Sequence, residues 1–343
     1  MKYSFRNDYS EGAHPKVLQA LTDTNALQTC GYGLDDFCTQ AAAQIRALCA
    51  APEAAVHFLV GGTQANLVVI DALLFSYEAV IAAHTGHVNV HETGAIEATG
   101  HKVCTAPSPD GKVSVEMVEA IVASHSSEHM VHPRLVYISD TTETGTVYTK
   151  AELTALRQCC DRHGLLLYLD GARLGCALTI PGADVTLADL AALTDVFTIG
   201  GTKNGALFGE AVVLNTPCPR FRWHMKQRGA VLAKGRLLGV QFQVLLENGL
   251  YFEIARHANA LASRLREGIA ALGYEFSSDS PSNQQFPILP NCVVQALEDL
   301  GYEFEVDHPV DPQHTCIRLV TSWATPSEAV EGFLQDLAAC RAA

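Results

Sequence analysis

The chain has 343 residues and a formal net charge of −14 at neutral pH, which disfavours nucleic acid and anionic membranes as partners. Its 11 cysteines are odd in number and form no C-x-x-C pair, which excludes a disulfide framework and points to a reducing, cytoplasmic setting. The polar start MKYSFRNDYSEG shows no signal peptide, and no apolar run is long enough to cross a bilayer.

Tyr3 to Pro15 lack periodicity and read as an arm rich in hydrogen-bonding groups (Arg6, Asn7, Asp8, Tyr9), able to reach a site or a partner subunit. Pro15 opens a short helix, PKVLQALTDTN. Tyr32-Gly33 marks a turn, and Asp35 or Asp36 caps the alanine-rich helix that follows. Ala55 to Val60 is a strand that runs into GGTQANLVVIDALLF. Glycines after a strand, with Thr63 opening an apolar-periodic helix, make an anion-binding arrangement of free N–H groups and helix dipole.

The strand AVIAAH leads into HTGHVNVHETGAIEATGHKV, with His84, His87, His91 and Glu92 close together. The spacing of His87 and His91 would put two imidazoles on one helical face, as a metal site requires. VNVHETG is not strongly helical, however, and the H-E-x-x-H order is absent. We therefore expect no metal, and one histidine as an active-site group able to stack on a flat ring.

Helix over Val113 to Ser124, strand over Arg134 to Ser139, the turn TTETGTVY and helix over Glu152 to His163 follow in order. Two apolar runs then end in polar clusters. LLLYLDGARLG delivers Asp170 and Arg173, and DVFTIGGTKNG delivers Lys203. In open α/β sheets, ligands sit beyond the carboxyl ends of the strands. A carboxylate that keeps a pyridine nitrogen protonated, and a lysine that holds an aldehyde as a Schiff base, are what pyridoxal phosphate (PLP) needs. Each cluster alone is an ordinary turn; it is their pairing that points to the cofactor. Strands alternate with helices and are continuously apolar, so an α/β fold with a mostly parallel sheet covered on both faces is expected.

LFGEAVVLN reads as a further strand. Phe221 to Gly239 hold a basic cluster of Arg222, Lys226, Arg228, Lys234 and Arg236, from which one residue could reach a phosphate. Gln241 to Gly273 read as helical, and Tyr274 to Ala343 as a small α+β domain. There Arg318 lies inside the apolar strand CIRLVTSW and calls for an anion, either a substrate carboxylate or a structural partner. The expected organisation is an arm over 1–15, a large α/β domain over 16–240 and a small C-terminal domain over 241–343.

DGARLGCA, GGTKNGALFGEAVVLN and GGTQANLVV resemble the aspartate, lysine and phosphate motifs of the low-specificity L-threonine aldolases. These are fold-type I PLP enzymes grouped with the β-eliminating lyases. HVNVHETGA, TETGTVY and IRLVTSWAT are similar to weaker motifs of the family, and the likeness runs from Arg6 to Thr325. The resemblance implies a lyase that cleaves L-threonine or L-allo-threonine to glycine and an aldehyde. It implies Lys203 as the Schiff-base lysine and Asp170 at the pyridine nitrogen, with Arg173 near the 3-hydroxyl or the substrate carboxylate. Gly62 and Thr63 would bind phosphate, His87 would stack on the ring, Arg318 would grip the substrate carboxylate, and His129 would lie near the substrate hydroxyl. His87, His129 or a water between them would act as base.

It further implies a homodimer or homotetramer, with Tyr32 and the Lys226 to Arg236 segment crossing to a neighbouring site. Asn7 stands where the family has a carboxylate-binding serine. The family's phosphate-binding arginine is poorly kept, leaving Arg228, Lys234 and Arg236 as rivals. The competing readings are a β-eliminating lyase or racemase on another amino acid, and a non-catalytic protein that binds PLP or a metal through the His84–His91 cluster.

Overall fold

The computed structural model describes residues 1–342. Its strands are β1 (Tyr3–Ser4), β2 (Ala55–Leu59), β3 (Glu78–Ala83), β4 (Val103–Ala106), β5 (His132–Ser139), β6 (Leu166–Asp170) and β7 (Val196–Gly200), then β8 (Glu210–Leu214), β9 (Gln284–Gln285), β10 (Ile288–Pro290), β11 (Tyr302–Glu303), β12 (Glu305–Pro309) and β13 (His314–Val320). Seven of them form one sheet in the order β2-β8-β7-β6-β5-β3-β4. Only β8 runs against the rest. All residues of β3, β7 and β8 are buried, as expected of strands covered on both faces. The edge strand β2 stays partly exposed.

Strand alternation splits the core into two layers. Ile81, Val136, Leu167, Leu169, Phe197 and Val213 pack on one face, with Val17, Ile45, Leu153 and Phe242 from covering helices. Val80, Tyr137, Tyr168, Val196 and Val212 pack on the other, against Val68, Val69 and Ile70 of the helix Gly62–Leu73. Asp170 follows Tyr168 by two residues on that second face, and Tyr137 lies opposite Tyr168 across the β5–β6 ladder. One side of the sheet therefore points two phenols and a carboxylate at one helix.

The C-terminal part packs β10, β13 and β12 as an antiparallel sheet against the helices Asn291–Asp299 and Ser327–Ala342. Its core holds Leu265, Leu289, Leu297, Ile317, Leu319, Phe333 and Leu337. The arm does not hang free. β1 pairs in parallel with β11, and Phe5 is fully buried in this C-terminal core.

The helical stretch expected over 241–273 is in fact two helices, Arg236–Leu246 and Leu250–Ala271. Asn248 and Gly249 between them take positive φ values of 53° and 74°, which no α-helix continues through. VNVHETG, which lacks helical patterning, still supplies one helical turn over His87–Val90. The Glu143 side chain accepts the His87 backbone N–H at 2.9 Å and satisfies the start of that turn.

Candidate active site

The carboxyl ends of β3, β5, β6 and β7 converge. After them come His84 to Glu92, Asp140 to Glu143, Asp170 to Arg173, and Gly201 to Asn204. The chains leaving β6 and β7 approach so closely that a Cβ on Gly171 would lie 2.0 Å from the Thr198 carbonyl oxygen, and one on Gly200 2.5 Å from that of Ala172. Only glycine permits this approach, and it brings Asp170 and Lys203 to one place.

Asp170 is 5% exposed and fully engaged on its inner side. Its Oδ2 accepts Tyr137 Oη–H at 2.7 Å and Asn66 Nδ2–H at 2.9 Å, and its Oδ1 accepts Ala172 N–H at 3.0 Å. Burial and the Arg173 charge push the Lys203 amine down from its ordinary value, against the pull of Asp8, Asp170 and Glu210. Glu210, at the start of β8, is pushed up by burial and by the Asp170 charge. A lysine eased toward its neutral, nucleophilic form is what carbonyl chemistry asks for.

Arg173 does not face the site unpaired. Its Nε and Nη2 donate to Asp8 at 2.7 and 3.1 Å, and Asn283 Nδ2 donates to the same carboxylate at 2.9 Å. Burial would raise the Asp8 pKa, but the charges of Arg173 and Lys203 prevail and hold it below the usual carboxylate range. Asn7, next to it, spends its Oδ1 on the local turn, accepting Tyr9 N–H at 3.0 Å and Ser10 Oγ–H at 2.9 Å.

Arg318 is the opposite case. Ile317 and Leu319 enter the C-terminal core, so alternation turns Arg318 to the other face of β13. Its Nε is buried with no hydrogen-bond partner among the described residues. Burial and the neighbouring Arg173 lower its pKa. A half-buried guanidinium whose buried Nε lacks an anion is costly, and a carboxylate ligand would satisfy it. Arg318→Leu should therefore leave thermal stability equal or higher while raising KM for an amino-acid substrate about 10²-fold. Steady-state kinetics and a thermal melt check both.

His87 lies against Glu92, Nδ1 to Oε1, at 2.8 Å. His91, one turn on, has its ring centroid 5.4 Å from that of His87. Burial, then His87, Arg318 and Lys203, push its imidazole down. His84 is used elsewhere, its Nδ1 accepting the Ser108 N–H at 3.0 Å.

At the helix Gly62–Leu73 the N-cap is Gly61, with no side-chain cap. Space is open within 4 Å of where a Cβ on Gly61 or Gly62 would sit, and Thr63 is exposed. Uncapped N–H groups facing open space at a helix start suit a phosphate. With Lys203 and Asp170 at the strand ends, the donor set fits PLP.

Five candidate residues lie away from the site of their own chain, four of them (Tyr32, Arg228, Lys234 and Arg236) being ones expected to cross to a neighbouring site. His129 is exposed ahead of β5, whereas the site lies past its far end at Ser139. At about 3.3 Å per residue, the strand alone separates them by more than about 20 Å. Tyr32 lines a separate cavity of about 250 Å³ with His57, Arg222 and Leu238; none of Lys203, Asp170, His87 or Arg318 lines it. Arg228 receives Gln64 Nε2–H on its backbone carbonyl at 3.3 Å, but its Nε donates to Asp71 at 3.1 Å, far along the helix from the glycine turn. Lys234 is exposed. Its rival Arg236 donates to the Leu27 carbonyl at 3.2 Å. The groups overlooked in the sequence are Asn66, Tyr137 and Glu210; Glu92 and His91 were noted there only as members of a candidate metal cluster.

A family model described as beta-eliminating lyase matches residues 6–289. The low-specificity L-threonine aldolase of Pseudomonas aeruginosa is 31% identical over 97% of this chain and 96% of its own. That of a Pseudomonas sp. strain is 32% identical over 86% of each. The chain belongs to the beta-eliminating lyase family, in its low-specificity L-threonine aldolase group. A solved structure described as Leishmania major threonine aldolase shares 49% identity and superposes with a TM-score of 0.96, covering 98% of both chains. A Thermus thermophilus aspartate aminotransferase structure, 18% identical at TM-score 0.73 over 98% of this chain and 91% of its own, shares the fold. The architecture is that of fold-type I PLP enzymes, and PLP is the cofactor of this aldolase-group lyase, whose substrate is an amino acid.

Proposed function

We propose that this lyase cleaves L-threonine, L-allo-threonine and related β-hydroxy-α-amino acids between Cα and Cβ, giving glycine and an aldehyde. The observation that carries the reading is the His87–His91 pair, standing beside the unpartnered Arg318. An amino acid whose carboxylate is bound by Arg318 presents its β-substituent to imidazoles, and His91 is held toward its neutral, basic form.

Lys203 would hold the cofactor's aldehyde carbon, Asp170 its pyridine nitrogen, Gly62 and Thr63 its phosphate, and His87 one ring face. PLP, when bound, supplies an electron sink for the pair left at Cα by bond cleavage. Arg318 grips the carboxylate and fixes which Cα bond stands across the ring. An imidazole of the His87–His91 pair takes the β-hydroxyl proton as Cα–Cβ breaks and the carbonyl of the aldehyde forms. Return of a proton to Cα yields glycine. Tyr137 and Asn66 hold the Asp170 carboxylate aligned throughout.

His129 cannot reach the site of its own chain, so a role for it requires a second subunit. We propose a homodimer or homotetramer with the site at the interface, supported by exposed Tyr9, Leu27, Tyr32, Leu34 and Leu207. Size measurement by light scattering tests this, and full activity from a monomer would exclude it. Eleven unpaired thiols support a reducing, cytoplasmic setting, and no helix among the described residues is long and apolar enough to cross a membrane.

Incubation of the PLP-loaded protein with L-threonine should release glycine and acetaldehyde in equal amounts. Pyruvate and ammonia from L-serine without glycine would favour a β-eliminating lyase, and formation of the mirror-image amino acid a racemase. Absence of glycine from every β-hydroxy amino acid, with PLP bound, would exclude the aldolase.

A further inference from the structure

Behind Asp170 and His87 lies a chain of buried polar groups that carries the hold of Asn66 on Asp170 further, to Glu92 and His87. Asn66, 1% exposed, gives one amide hydrogen to Glu92 Oε1 at 2.6 Å and the other to Asp170 Oδ2 at 2.9 Å. Its Oδ1 accepts Tyr168 Oη–H at 2.6 Å. The reversed amide would set a carbonyl oxygen against two carboxylates, so the amide's orientation is settled by its neighbours. Glu92 Oε1 already receives Asn66 and also lies 2.8 Å from His87 Nδ1. A carboxylate oxygen that accepts on both lone pairs requires His87 Nδ1 to carry hydrogen.

We propose that Glu92 and Asn66 are positioning residues that lock His87 in its Nδ1–H tautomer and join it, through one amide, to the carboxylate at Asp170. This rests on the placing of the cofactor between Asp170 and His87. The lone pair of neutral His87 then sits on Nε2, across the ring from Glu92. In that tautomer the neutral ring can accept a proton at Nε2 but cannot donate one there. Glu143 fixes the other end of the same residue by accepting its backbone N–H, and Ser139 Oγ donates to the same Glu143 oxygen at 2.8 Å. Both the ring and the backbone of His87 are therefore tied down before substrate arrives. The Glu92 Oε2 is buried without a partner among the described residues, so an amide nitrogen can replace it without displacing a donor.

The test is nitrogen-15 solid-state NMR of histidine-labelled, PLP-loaded protein without substrate, the His87 signals assigned by their loss in His87→Phe. Wild type is expected to show a protonated Nδ1 and a bare Nε2. Glu92→Gln keeps an acceptor oxygen and should keep that tautomer. Glu92→Ala should give a mixture containing Nε2–H, with kcat lower on the order of 10²-fold, KM within about threefold, and most of the loss restored in Glu92→Gln. A wild-type His87 protonated on Nε2, or a tautomer unmoved in Glu92→Ala, overturns the proposal. Should Glu92→Ala fail to fold, the wild-type spectrum and Glu92→Gln still decide it. The spectra are recorded without turnover, so they stand whichever bond is cleaved, and failure to retain PLP is seen separately as a missing visible band.

Discussion

Lys203→Ala is expected to lower turnover at least about 10³-fold while leaving the protein folded and still able to take up PLP. The side chain lies where burial and Arg173 disfavour its charge, so its removal relieves desolvation and costs little stability. Asp170, with its three hydrogen-bond donors, and the uncapped turn at Gly61 remain in place. The cofactor should therefore bind without the covalent link. Its absorbance should move from the band of the lysine-bound form to that of the free aldehyde, and adding an amino acid should change it slowly. Retention of turnover within tenfold of wild type would remove Lys203 from the chemistry.

Asp8→Ala should be the most destabilising single change near the site, by about 3–5 kcal/mol, because it strands a buried guanidinium. Asp8 is 1% exposed and is gripped by Arg173 and Asn283. The pH dependence has a definite sign. The pKa of Asp8 is depressed in the folded protein, so its contribution is complete above the unfolded value near about 3.9. It is lost as pH falls through the lower, folded value. The stability gap between wild type and Asp8→Asn should thus be constant from neutral pH down to about 5 and shrink in stronger acid. Denaturant midpoints across that range check it. A gap that is absent, or that widens in acid, would mean that the Asp8–Arg173 pair does not hold the arm.

The large sheet was legible because buried parallel strands announce themselves as unbroken apolar runs. Asp170 and Lys203 stood out because polar groups ending such runs have few other reasons to be there. The reversal of β8 carried no signal, since its five residues are as apolar as those of β7. Asn66 looked like any helix residue; its importance comes from Tyr168 and Asp170, which are 102 and 104 residues away in sequence. Glu92 was read as part of a histidine cluster, when its decisive neighbours are Asn66 and the single imidazole of His87. Charge marked Arg228 as a phosphate candidate, and charge does not reveal its pairing with Asp71. His129 came from the family resemblance, and a resemblance does not tell which subunit's site a residue serves. His91 could have been found: it repeats His87 at helical distance, but that signal was discounted because the segment lacks helical patterning.

The pairing of β1 with β11 also dictates when, in the life of the molecule, the site comes into being. As the polypeptide emerges from the ribosome, the first eight residues have nothing to dock on. Phe5 waits for a core built from Leu265 to Leu337, and Asp8 for Asn283. The large sheet can assemble with about two-thirds of the chain made, yet the latch on Arg173 closes only after the last third has folded. Such distant contacts are slow to form. A nascent chain stalled before residue 283 would thus carry Lys203 and Asp170 in place but an unlatched Arg173. By the same logic, a bulky fusion at Met1 burdens the final step of maturation and spares the early ones.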